Sequence, residues 1–302
     1  MKEHKIVVVT PAGRRHYLEL LKHYILLDDG IDEWHLWDNC RNPKDREYIE
    51  DLAKQEPKIK VVKINGADGT NKSVNRFYPF CTAEDTFFIK LDDDVVYLSP
   101  NFSTSVYEAA MKEKGRYIWW SPLVVNNAVC TWLLKYHSKI GIEEPISCQA
   151  SDDFSWKSPS FAIKLHEIFL KAMGEKRVDE FKVPDFEVSL SRFSINCLGY
   201  FGEDVRALGE TFCPSGVDDE EWISAVLPSR IGKPGRVIGS VVISHFAFYT
   251  QEQDLLRAKV LEKYYNAAFL QPEPYPLKPL PIKRRIKDFA RKSRNLLRTP
   301  FA

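Results

Sequence analysis

The 302-residue chain is 44% hydrophobic and 28% charged, enough apolar content for a sizeable core and too apolar for wholesale disorder. Its longest apolar stretches are broken by Gly, Ser and His, short of the roughly 20 apolar residues that a membrane span needs. The net charge of +1 divides unevenly: eight Lys/Arg against Asp288 put +7 on residues 282–302 and leave −6 on the rest, so the acidic body argues against nucleic acid as a partner.

Lys5–Thr10 is a continuous apolar run, as a buried parallel strand requires. It leads directly from the N-terminus with no secretory h-region, and the six cysteines show no CxxC spacing. A soluble cytoplasmic protein with reduced thiols is the expectation. Tyr17, Leu18, Leu20, Leu21, Tyr24 and Ile25 then fall on one helical face. Glu33–Trp37 predicts a second strand, Asp45–Gln55 a helix, Lys58–Ile64 a third strand and Thr86–Leu91 a fourth. Strands alternating with helices imply right-handed crossovers and a Rossmann-like, mostly parallel twisted sheet, an α/β fold. Further on, Ser103–Glu113, Ser160–Met173 and Asp218–Leu227 are expected helices, and Arg116–Trp120 and Arg236–Ile243 expected strands. Residues 121–160, aromatic and weakly periodic, predict an inserted loop-rich lobe. Five prolines in 271–281 predict a stiff linker.

Three segments carry chemistry. In FFIKLDDDVVYL an apolar strand ends at Asp92, Asp93 and Asp94, and alternation along an extended chain would put Asp92 and Asp94 on one side. Carboxylates this close repel unless a cation or raised pKa values compensate. A hard divalent ion would suit them and would bridge to a diphosphate; an acidic turn without ligand explains the same letters. In GVDDEEWISAVL the acids Asp218–Glu221 precede a helical apolar pattern, where the macrodipole alone favours them by about 0.3–1 kcal/mol each. In SVVISHFAFYTQEQ a buried-strand run ends at His245, either a core histidine or a metal ligand.

Taken in order, these segments resemble the GT-A-fold glycosyltransferases, over roughly residues 4–260. IKLDDDVVYLSP is similar to their DxD motif, GVDDEEWISAVL to the acidic motif that carries the base of inverting members, and NCLGYFGEDVRALGE to the segment before it. The resemblance implies Asp94 and His245 as ligands of Mn²⁺ or Mg²⁺ and Asp92 or Asp93 as donor contacts. It also implies Asp219 as general base, with Asp218 and Glu220 as alternatives. Pro11, Asp38 and Lys72, with Asn75 and Arg76 behind them, are the expected donor pocket, though ordinary turn chemistry also accounts for them. The implied organisation is a donor-binding half (1–100) and an acceptor half (101–270), then the linker and the tail.

The tail IKRRIKDFARKSRNLL, residues 282–297, reads as a basic amphipathic helix suited to an anionic membrane surface. The implied function is metal-dependent transfer of a sugar from a nucleotide-sugar, UDP-linked by the resemblance, to a glycan or lipid-linked acceptor. That places the protein in surface-polysaccharide synthesis on the inner face of the cell membrane. Two alternatives stand beside it. One is a sugar nucleotidyltransferase, against which TPAGRRHYLEL offers only Gly13 as a phosphate loop. The other is a non-catalytic, membrane-associated glycan-binding protein using Trp119, Trp120, Trp132 and Trp156.

Overall fold

The computed structural model of the protein describes residues 3–189 and 191–270; the predicted linker and basic tail lie outside them. Nine strands form one sheet: β1 (Lys5–Ala12), β2 (Glu33–Asp38), β3 (Ile59–Val62), β4 (Thr86–Leu91), β5 (Val95–Leu98), β6 (Trp119–Val125), β7 (Phe186–Val188), β8 (Cys197–Phe201) and β9 (Gly235–His245). Their order is β3-β2-β1-β4-β8-β6-β9-β5, with β7 paired to β9. The first four strands are parallel, as the alternating strand and helix signals require. Antiparallel β8 then enters against β4, and β9 runs parallel to β6.

Local sequence explains these elements. The helix Arg15–Leu27 buries the six residues of its predicted apolar face. Pro43 opens the next helix, whose N-cap Asn42 accepts from the Lys44 amide, and Ser158 caps Pro159–Gly174 in the same way. All six cysteines are free. Among the described residues no helix is long and apolar enough to cross a membrane.

The segment 121–160 departs from its expected form. Ser121–Val125 completes β6, and Ala128–His137 is a helix capped by Asn127, so only the residues beyond it are loop-rich. Every residue of β6 is buried. A strand covered on both faces loses the alternation that marks strands in sequence, and Ser121–Pro122 hides it further. Trp119 and Trp120 are therefore core side chains, which removes half of the aromatic surface that a glycan-binding protein would have used. The expected helix at Asp218–Leu227 is also modified: Asp219–Glu221 starts it, Trp222–Val226 widens into a π-type turn, and Leu227–Ile231 finishes it.

One position in β9 tests this packing. A Cβ added at Gly239 would lie 2.0 Å from the carbonyl oxygen of Val183, a backbone atom that no rotamer change can move. Gly239→Ala is expected to cost about 1–3 kcal/mol, lowering the melting temperature by roughly 2–12 °C. Calorimetry or circular dichroism would read it.

Candidate active site

The site forms where β4 stops. Its strand is wholly buried, and the chain turns at Asp93–Asp94, with the Val95 amide donating to the Asp92 carbonyl at 3.3 Å, before β5 resumes. This turn interrupts the extended chain on which the expected alternation depends, and Asp92 and Asp94 have different hydrogen-bond partners. Asp92 accepts from the buried ammonium of Lys90, whose second bond goes to the Ile195 carbonyl at 2.8 Å. Asn196 on the adjoining segment reaches the other Asp92 oxygen at 3.4 Å.

Asp93 is committed to the loop after β1. It accepts from the backbone amides of Gly13 (3.1 Å) and Arg14 (2.9 Å) and from the Arg14 guanidinium. It therefore locks the first strand's loop to the acidic turn. Arg14 goes on to Asp94 Oδ2 at 2.9 Å and to Glu252 at 3.2 Å, and lies 4.8 Å from the centre of the Tyr17 ring. The Tyr17 hydroxyl donates to the same Glu252 oxygen at 2.7 Å.

β9 delivers His245 to Asp94. The imidazole Nε2 lies 3.5 Å from Asp94 Oδ2, and Nδ1 lies 3.2 Å from the Asn126 carbonyl oxygen. Asn126 has a left-handed backbone at φ 62°, and its amide nitrogen donates to the Phe246 carbonyl and to Gln251. Both the side chains of Asp94 and His245 are nearly inaccessible. Burial would raise the Asp94 pKa, but Arg14 and His245 outweigh it and hold the carboxyl well below the usual range. Burial likewise opposes charge on His245, and Asp94 overcomes it, raising the imidazole.

The acidic cluster separates into different environments. Asp218 caps the following turn through the Glu221 amide at 2.9 Å and pairs with Arg192 at 3.0 Å. Glu220 takes Arg192 at 2.7 Å. Asp219 has no hydrogen bond or ion pair among the described residues, and it is half-buried. Burial lifts its pKa from an ordinary 3.8 to about 6; Lys90 opposes the shift, and Asp92 and Asp218 reinforce it. The loop that presents Asp219 is held by Asn75, whose Nδ2 donates to the carbonyls of Pro214 (2.9 Å) and Val217 (2.8 Å).

The remaining donor-side candidates lie farther along the edge. Pro11 pairs in register with Trp37 at the end of β1. Asp38, buried, is bound by Arg46 at 2.7 Å, and neighbouring Asn39 organises the next loop through Gly69 and Ser73. Lys72 is exposed, and Arg76 is engaged with the carbonyls of Asn65 and Gly66. The structure thus gathers Asp94 with His245, and Asp219 with Lys90 and Asp92, while Asn75 becomes a brace. It adds Arg14, Lys90, Glu252 and Asn126. Of these only Lys90, an isolated cation inside the apolar TFFIKL, carries a signal in sequence.

No family model and no curated protein matches the chain. Solved structures resemble it at low identity. A mannosyltransferase from Pyrobaculum calidifontis in complex with GDP-Man and Mn²⁺ is 14% identical, over 96% of this chain and 70% of that one, with TM-score 0.49. S. aureus TarS (residues 1–349) is 14% identical, over 95% and 78%, with TM-score 0.46. An inositol-1-phosphate CTP transferase from T. maritima is 13% identical, over 88% and 97%, with TM-score 0.44.

Proposed function

We propose that the protein is a glycosyltransferase that moves a sugar from a nucleotide-sugar, UDP-linked in our reading, to a hydroxyl of a glycan or lipid-linked acceptor. The observation that carries this is Asp219. It is a carboxylate with no hydrogen-bond or ion-pair partner among the described residues, half-exposed, its pKa raised to about 6, within electrostatic reach of the Asp92–Asp94 turn at the carboxyl edge of the sheet. An uncommitted carboxylate poised near neutral pH is what a general base needs. Asp219 accepts the acceptor hydroxyl's proton as that oxygen attacks the anomeric carbon from the side opposite the diphosphate, inverting the centre. Asp218 and Glu220, already bound by Arg192, hold the turn that presents it.

A divalent cation fits the donor side. Asp92, Asp93, Asp94 and Glu252 outnumber Arg14 and Lys90 by two charges when His245 is the neutral ligand, so a bare diphosphate would meet repulsion. Among the described residues no group of three or more acidic, His or Cys side chains closes a metal shell. Asp94 with His245 would supply two ligands, in keeping with ions that complete their coordination from substrate phosphate and water. The Asn126 carbonyl, accepting from Nδ1, would hold the imidazole with Nε2 toward Asp94. Mn²⁺ or Mg²⁺ held by Asp94 and His245 would supply charge to stabilise the departing nucleoside diphosphate.

The nucleotidyltransferase reading is disfavoured by the loop after β1. Its Gly13 and Arg14 amides, the donors a phosphate cradle would use, are both consumed by Asp93. Calorimetric titration of UDP, GDP and CDP with and without Mn²⁺ tests the proposal. One nucleotide is expected to bind with a requirement for metal. In Asp94→Ala its affinity should fall by more than the roughly 10–100-fold that losing a supporting residue costs. No binding under any condition would overturn the reading.

A further inference from the structure

We infer that Arg14 is an internal cation that competes with the divalent metal for Asp94, and that Glu252, already bonded to it, is the acceptor that retains the guanidinium when it gives way. The inference rests on Asp94 and His245 forming the metal seat. Asp94 Oδ2 is the oxygen nearest His245 Nε2, and the same atom takes Arg14 Nη2 at 2.9 Å. A guanidinium bonded there occupies a lone pair that a metal ion would use and brings a positive charge against it.

Arg14 has two other anchors that do not involve Asp94. Its Nε reaches Asp93 Oδ1 at 3.1 Å, and its Nη1 reaches Glu252 Oε1 at 3.2 Å. The Tyr17 ring supports the guanidinium at 4.8 Å, and the Tyr17 hydroxyl fixes Glu252 at 2.7 Å. The side chain can therefore leave Asp94 without losing charge compensation or its anchor on the β1 loop. Its side chain is 38% exposed while Asp93 and Asp94 are each 6%, so in this cluster Arg14 is the member with room to move. The arrangement keeps two adjacent buried carboxylates neutralised before the donor arrives, and metal entry turns the loop after β1 into a responsive element.

The test is Mn²⁺ binding to the full chain, read by electron paramagnetic resonance with and without UDP. Arg14→Met keeps the aliphatic packing over Tyr17 and removes the competitor, so Mn²⁺ should bind about tenfold tighter, the size of one charge-assisted hydrogen bond. Glu252→Gln removes the retaining acceptor and should weaken Mn²⁺ binding several-fold in the natural background. If Glu252 acts through Arg14, it should have no effect in the Arg14→Met background; a plain field effect would persist there. Unchanged or weaker Mn²⁺ binding in Arg14→Met, with melting showing a folded protein, would overturn the inference. Equal effects of Glu252→Gln in both backgrounds would overturn the part given to Glu252. If Arg14→Met does not fold, Glu252→Gln decides alone: unchanged or tighter Mn²⁺ binding overturns the inference. UDP binding with no Mn²⁺ binding to any form would remove the seat and this inference together, whereas Mn²⁺ binding without nucleotide binding would strike only the proposed function.

Discussion

Asp219→Asn is expected to lower turnover by about 10²- to 10⁴-fold and to leave nucleotide affinity unchanged, because a general base acts on the acceptor and not on the donor. The same variant should be more stable than the parent at pH 8. Burial raises the folded carboxyl to about 6 from an ordinary 3.8, so the ionised form is disfavoured by folding. A neutral amide escapes that cost. The stability advantage is fully present above pH about 6, shrinks as pH falls between the two values, and vanishes below 3.8, where both forms of the parent are protonated. Activity of the parent should fall on the acid side with an apparent pKa near 6. Melting curves and rate profiles over the same pH range check both. A folded variant that keeps its turnover would mean that Asp219 is no base, and one that gains no stability would mean that its folded carboxyl is not raised.

Lys90→Met should have the second large effect, on stability and on pH dependence together. Lys90 is 3% exposed and holds Asp92 and the Ile195 carbonyl. Removing Lys90 leaves the partly exposed Asp92 carboxylate and the Ile195 carbonyl without their donor, at a cost of about 1–3 kcal/mol, or roughly 2–12 °C in melting temperature. Lys90 also lowers the Asp219 pKa against its burial. Without it the acid limb of the rate profile should move to higher pH. An unmoved limb in a folded Lys90→Met protein would separate Lys90 from the base and leave it a purely structural cation.

The first half of the fold was readable because its periodicities are local: KIVVVT and TFFIKL are buried parallel strands, and the helix Arg15–Leu27 shows its apolar stripe in every turn. The second half was less so. β8 enters antiparallel between β4 and β6, a pairing that depends on residues distant in sequence. In the site, residue types announced Asp94, His245 and the acidic cluster, while environment alone distinguishes their members. Asp93 looks like Asp94 until Gly13 and Arg14 claim it, and Asp219 looks like Asp218 until Arg192 takes the neighbours. Nothing in TPAGRR marks Arg14, because its partners lie in two segments far downstream.

The contacts that close the site also set when it can exist. Lys90 and Ile195 are 105 residues apart, and Arg14 and Glu252 are 238 apart. Such non-local pairings raise contact order and slow folding, since loop-closure entropy is lost before the contacts reward it. A nascent chain that has emerged only through β5 carries the three aspartates with neither His245 nor Glu252 to meet them. The parallel half, ending in exposed like charges and an unpaired β4 edge, must wait on the ribosome for β8 and β9, making this interval the one in which aggregation competes with folding.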